Sequence, residues 1–248
     1  MAAPPALISC HAGNPAYAAA AVAAGWLYGA RLPGHVSQPL WLADQDWKSP
    51  DRAAYMAALA RHRPAVATVL DLERDDQLAE VLSWATEAAQ HVREAVLIVP
   101  KAVGIVPSLP RSVGGRRVVL AYSVRTSYGS CPLPLWEFDG WPVHLLGGSP
   151  HEQMRLWRYF SCWSEVVSCD GNMAAGQSRK GRFWCSMRGP KGHWRQLAET
   201  GDATSGDGAD LRAFRLSLAE IRLAWGRLTA TGPPFPPTPP PATASPGG

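Results

Sequence analysis

Acidic side chains recur where short apolar runs end, and their types suit acid/base, nucleophilic or metal chemistry. Asp44 and Asp46 follow Leu42-Ala43, Asp71 and Glu73 follow Thr68-Val69-Leu70, and Asp170 and Asn172 follow Val166-Val167-Ser168-Cys169. Lys101 succeeds Val99-Pro100, Tyr122 and Ser123 succeed Leu120-Ala121, and His144 stands just before Leu145-Leu146-Gly147-Gly148. Carboxylates gathered in one cavity repel each other and lose hydration, a cost generally tolerated where proton transfer, covalent catalysis or metal binding uses them. Each residue also has a purely structural reading. Asp44 suits a cap or turn, and Asp71 suits an ion pair with Lys101. Asp170-Gly171 is a common turn dipeptide, and His144, inside an apolar run, suits a hydrogen-bonded core histidine. Gly147-Gly148-Ser149-Pro150 reads equally as a strand-to-helix turn or as a place where backbone amides approach a polar or anionic ligand. Taken together, the set favours a site.

These groups meet only if the intervening elements bring them to one face. Apolar runs predict strands over Ala6–Gly13, Trp26–Ala30, Leu40–Ala43, Ala67–Leu72, Ala95–Val99, Arg117–Ser123, Pro142–Leu146 and Glu165–Ser168. Helices are expected from Asn14 to Gly25, from Asp51 to about Arg63, from Gln77 to Val92, from Pro150 to about Phe160, and from Asp210 to Leu228. A Pro-bounded segment after Val99 has room for one helical turn. Strands alternating with helix-sized connections predict a parallel sheet, and their number suits a closed (β/α)8, TIM-barrel-like domain. In that architecture functional groups gather at the carboxyl ends of the strands. The domain is placed at 1–231, with a disordered Pro/Thr/Ala/Gly-rich tail over 232–248.

Composition narrows the classes further. With 46% hydrophobic and 18% charged residues, the 248-residue chain is globular and can build a barrel-sized core. A net charge of +4 permits a polyanionic partner without requiring one. No transmembrane run or signal peptide is evident, so a cytoplasmic protein with no membrane partner is expected, in the host cytoplasm if phage-encoded. The five cysteines are scattered without a C-x-x-C pair, which predicts neither a disulfide framework nor a zinc site, and no metal or cofactor is assigned. The basic run Arg179-Lys180-Gly181-Arg182, followed by Phe183 and Trp184, mixes cations and aromatics as a nucleic-acid surface would, or is an ordinary solvated loop.

The order of segments resembles the tRNA-guanine transglycosylase superfamily, in particular its compact phage-type DNA-modifying members. The likeness spans roughly Leu7 to Trp184. It rests on Leu42-Ala43-Asp44, Thr68-Val69-Leu70-Asp71-Leu72-Glu73, Val99-Pro100-Lys101, Ala121-Tyr122-Ser123, Val143-His144-Leu145-Leu146-Gly147-Gly148, and Val167-Ser168-Cys169-Asp170 followed by Gly181-Arg182-Phe183. The resemblance implies a TIM barrel that exchanges guanine in a polynucleotide for a free 7-deazaguanine base, 7-cyano-7-deazaguanine or a relative, through a covalent aspartyl intermediate. By position it implies Asp170 as nucleophile, Asp44 as general acid/base and Asp71 as a reader of the purine edge. Gly147 and Gly148 would line the base pocket, and Asp46, Glu73, Lys101, Tyr122, His144 and Asn172 would be substrate contacts. Phage DNA is the expected partner, with tRNA the alternative, and the resemblance allows a homodimer.

Two departures bear on this. The C-x-C-x-x-C plus His zinc site of tRNA-acting members is missing, since Cys185 stands alone with His193 nearby, which argues against tRNA. Gln45-Asp46-Trp47 replaces the expected serine-glycine-glycine, so Asp46 is a candidate in place of Asp44. Outside the family, a barrel hydrolase could use Asp44, Asp46, Asp71 and Glu73 as oxygen ligands for Mg²⁺. A non-catalytic nucleic-acid-binding barrel is a third reading.

Overall fold

A computed structural model of the chain describes residues 4–10, 14–126, 129–189, 192–200 and 208–232. The apolar runs form strands, and capping residues start the helices between them. In chain order these are β1 (Ala6–Cys10), α1 (Pro15–Ala23), β2 (Leu27–Leu32), β3 (Leu42–Gln45), α2 (Arg52–His62), β4 (Val66–Leu72), α3 (Leu78–Ala89), β5 (Ala95–Pro100), β6 (Ser112–Val113) and β7 (Arg116–Ser123). The chain continues through β8 (Pro142–Leu146), α4 (Pro150–Trp163), β9 (Glu165–Gly171), α5 (Met173–Ser178), β10 (Arg182–Gly189), β11 (Gly192–Gln196) and α6 (Ala209–Ala230).

Each neighbouring pair from β1 through β5, then β5–β7, β7–β8, β8–β9 and β9–β1, is parallel, so eight strands close into a TIM-barrel-like cylinder. Closure leaves no free edge and sends every strand's carboxyl end to one mouth. Ile8, Cys10, Leu42, Leu97, Val119 and Ala121 fill the interior. A second apolar shell packs the helices against the barrel wall. Asn14 accepts from the Ala16 amide, Asp51 from the Ala54 amide and Ser149 from the Glu152 amide, satisfying orphan donors at the starts of α1, α2 and α4.

The ring of helices is incomplete. Among the described residues no α-helix follows β2, β5 or β7; a 3₁₀ turn stands at Val106–Ser108, in the Pro-bounded segment, and another at Leu135–Phe138. The second strand runs two residues beyond its expected end and carries Arg31 to the mouth. After β9 the chain forms the short α5 and the antiparallel β10–β11 hairpin, neither of them expected, before α6 fills the outer layer between α1 and α4. There Tyr17 packs on Phe214 and Trp157 on Trp225. The end of the first expected strand, residues 11–13, and all of the expected tail but Gly232 lie outside the described residues. No helix among the described residues is long and apolar enough to cross a membrane.

Candidate active site

Asp170 ends the inner face of β9 and is 6% exposed. One of its oxygens, Oδ1, accepts from the Gly147 amide at 2.8 Å and meets His144 Nε2 at 3.1 Å. A carboxylate only accepts, so Nε2 carries a proton, and Nδ1 stands 2.7 Å from the Ser168 hydroxyl, which can serve as donor or acceptor. His144 is a hydrogen-bonded core histidine, fully buried, and its bond to the acid was not foreseen.

The loop after β8 is shaped for this contact. Gly147 and Gly148 have φ of +68° and +79°, which β-carbon-bearing residues rarely adopt. A Cβ on Gly148 would also collide with Val124, whereas one on Gly147 would meet open space. Gln153, buried in the first turns of α4, donates to the Gly147 carbonyl at 2.7 Å and to the Asp170 carbonyl at 2.6 Å. One amide thus clamps the glycine loop to the end of β9. Sequence reasoning missed Gln153, although its place just after the glycine turn was a usable signal.

Cys10, also missed, sits on the inner face of β1 between two acids. Its thiol is fully buried and bonds to Asp170, and Asp44 is near enough to act on it as well. Burial first, then the charges of Asp170 and Asp44, push the thiol well above its usual value, so it stays neutral. Gly29 on β2 makes room for the sulfur, since a Cβ there would overlap Cys10 Sγ. The signal was available: Cys10 obeys the same strand-end rule that selected the acids.

On the far side of Cys10, Asp44 lies half-buried on β3 and accepts from the Thr68 hydroxyl at 3.2 Å. Thr68 in turn accepts from the Gln45 amide at 2.8 Å. Asp46 is turned to other work: it caps the Lys48 amide at 3.3 Å and stands 3.6 Å from the Arg31 guanidinium. Asp44, not Asp46, thus shares the interior with Asp170.

A third group lies over β4 and β5. Lys101 Nζ contacts Asp71 at 2.5 Å and Glu73, which is largely exposed at the rim, at 3.5 Å. An irregularity in β4 between Thr68 and Asp71 alters the register, so both residues serve the mouth although three positions apart. Burial raises the Asp71 carboxyl above its ordinary value, and the ammonium offsets only part of this. For Lys101, burial pulls downward, but the bonds and charges of Asp71 and Glu73 outweigh it and the net shift is upward. Among the described residues no three His, Cys, Asp or Glu side chains are grouped to hold a metal ion. Of the candidate Mg²⁺ ligands, Asp71 and Glu73 pair with Lys101, Asp46 stands beside Arg31, and Asp44 accepts from Thr68.

Residues 21–226, from the end of α1 into the last turns of α6, match the family of unknown function DUF6610. The chain belongs to that family. No curated protein matches it. The matched span of this DUF6610 barrel holds Asp44, Asp71, Lys101, His144 and Asp170, and Cys10 precedes it.

Two expected site residues of the DUF6610 barrel are corrected. Tyr122 does not face the mouth: Ala121 takes the inner side of β7, so strand alternation sends Tyr122 outward onto Phe138 and Phe160. Trp184 offers no stacking surface, being 2% exposed and stacked on His193 inside the hairpin. Asn172 is exposed just past Asp170, at the start of α5, and Arg179, Lys180 and Arg182 are exposed at the turn into β10. The loop after β3 also carries Trp47, 50% exposed, and the 3₁₀ turn before β8 carries Trp136, 66% exposed, which are unusual exposures for tryptophan.

Proposed function

We propose that this barrel is a base-exchanging glycosyltransferase that acts on DNA and replaces guanine by a 7-deazaguanine base. The single observation that carries the reading is the held carboxylate of Asp170, fixed by the Gly147 amide and His144 at the barrel mouth with Asp44 beyond a neutral thiol. Asp170 attacks C1′ of the sugar, the C1′–base bond breaks toward guanine, and Asp44 delivers the proton the leaving base needs. The incoming base then loses a proton to Asp44, and its ring nitrogen displaces the Asp170 ester from C1′. Two displacements preserve the sugar's configuration, as in retaining glycosidases.

The other parts suit the same chemistry. His144 and Gly147 hold one oxygen of Asp170, which restricts the direction of attack. Asp71, kept in place by Lys101, is an acceptor for the ring N–H groups of a guanine-like base. Trp47, exposed in the loop after β3, offers a π-face to a base beside the extruded one. The test is release of radiolabelled guanine from DNA, and in parallel from tRNA, with 7-cyano-7-deazaguanine supplied. Release from DNA by the native protein and none by Asp170→Asn is expected. No release from either polymer, with control enzymes active, would overturn the reading.

A further inference from the structure

A second recess lies outside the barrel, between α4, α6 and the β10–β11 hairpin, with a volume of about 550 Å³. Arg155 and Arg158 line it from α4, Arg227 from α6, and His151 and His193 from its upper wall. Among the described residues, none that lines it is acidic. Two carboxylates that contact its lining are already engaged: Glu152 holds Arg155 at 2.8 Å, and Glu220 accepts from the Ser186 amide and hydroxyl. Arg158 and Arg227 are exposed and make no ion pair among the described residues. Trp184, on the inner wall, has an indole N–H with no acceptor there. Two solvent-facing guanidinium groups without an acid partner, beside a third, give the groove a positive potential that attracts an anion.

Helix α4 leads from the mouth to the groove. Gly147, which bonds Asp170, is followed by Gly148 and the capping Ser149, and His151 stands in the first turn of the helix. From His151 to Arg158 the helix rises about 10 Å, which matches about three phosphates of a stacked strand at 3.4 Å each. We infer that this groove binds the phosphodiester backbone of the polynucleotide beside the nucleotide held at the mouth. The inference rests on the base-exchange reading for its polymer, and it adds a strand path down one flank of the barrel.

The test is fluorescence anisotropy of a labelled oligothymidylate of about twelve nucleotides, titrated at several salt concentrations. Containing no guanine, this probe reports on the groove apart from the reaction. Three phosphate contacts on a single strand predict a log–log salt slope of about −2, or roughly 20-fold weaker binding from 50 to 200 mM salt. Arg158→Ala with Arg227→Ala should leave about one contact and cut that factor to about 3-fold. Arg158→Lys with Arg227→Lys should restore most of the slope, which separates lost charge from lost fold. An unchanged slope in the double alanine variant would overturn the inference. So would inorganic phosphate displacing the oligonucleotide at equal phosphate concentration, which marks a small-anion site only. Binding with the expected slope but no guanine release leaves the groove standing and removes the base-exchange reading. Guanine release with an unchanged slope in the double alanine variant does the reverse.

Discussion

The packing of Cys10 against Gly29 offers a quantitative test of how the mouth is built. An alanine Cβ at position 29 would overlap Cys10 Sγ and lie 3.0 Å from Ile8 Cγ2 and 3.4 Å from Leu42 Cβ. All three contacts are shorter than the 3.5–4.0 Å optimum for carbon atoms. Cys10 has little room to yield, because its thiol bonds to Asp170, which is itself held by Gly147 and His144. Overpacking of this kind should cost Gly29→Ala about 1–3 kcal/mol. Cys10→Ala alone loses a buried sulfur and its bond to Asp170, about 1–2 kcal/mol, since the acid keeps its other donors. In the double variant the new methyl occupies space the sulfur vacated. The two changes should therefore offset each other, with a coupling of about 1–3 kcal/mol in the stabilising direction. Equilibrium urea unfolding of the four proteins measures this cycle. Additive losses would refute the claim that Gly29 is there to seat the thiol.

Other outcomes follow from the same geometry. Gln153→Leu removes both carbonyl clamps and leaves two acceptors unpaired, so thermal or urea unfolding should report a loss of about 2–4 kcal/mol. At pH 8 iodoacetamide followed by peptide mass spectrometry should modify the half-buried Cys162 first. Burial lifts Cys131 to about 11, so only about one part in a thousand is thiolate at that pH. Cys10 and Cys169 are raised further and should be slower still; rapid labelling of Cys10 would contradict its place between the two acids. Lys101 has a folded-state pKa raised above the unfolded one, so its stabilisation is full below the ordinary lysine value and lost as pH climbs through the raised value. The stability difference between the native protein and Lys101→Met should therefore persist at pH 7–9 and shrink above about pH 10.5.

Much of the barrel was legible because each strand is a short apolar run and the starts of α1, α2 and α4 carry capping residues. Asp44, Asp71, Lys101, His144 and Asp170 were legible through one rule, that parallel strands deliver their ends to a common mouth. The rule does not say which way a strand-end side chain points. Tyr122 was misread for that reason, as one step along β7 separates the inside from the outside. The β10–β11 hairpin escaped notice because Phe183, Trp184 and Cys185 are all buried, so the strand shows no alternation between faces. Cys10 obeys the strand-end rule as well, but a scattered cysteine in an apolar run reads first as an inert buried thiol. The β4 irregularity that lets Thr68 and Asp71 serve one mouth leaves no mark that periodicity can detect.

The central claim is a covalent bond between Asp170 and the sugar, and intact-protein mass spectrometry of a reaction quenched under denaturing conditions tests it most directly. Guanine-containing DNA incubated without an incoming base should yield protein joined to an oligonucleotide lacking one guanine, with the linkage mapping to the peptide that holds Asp170 and absent from Asp170→Asn. Guanine release with no adduct, or an adduct on any other residue, would contradict the account.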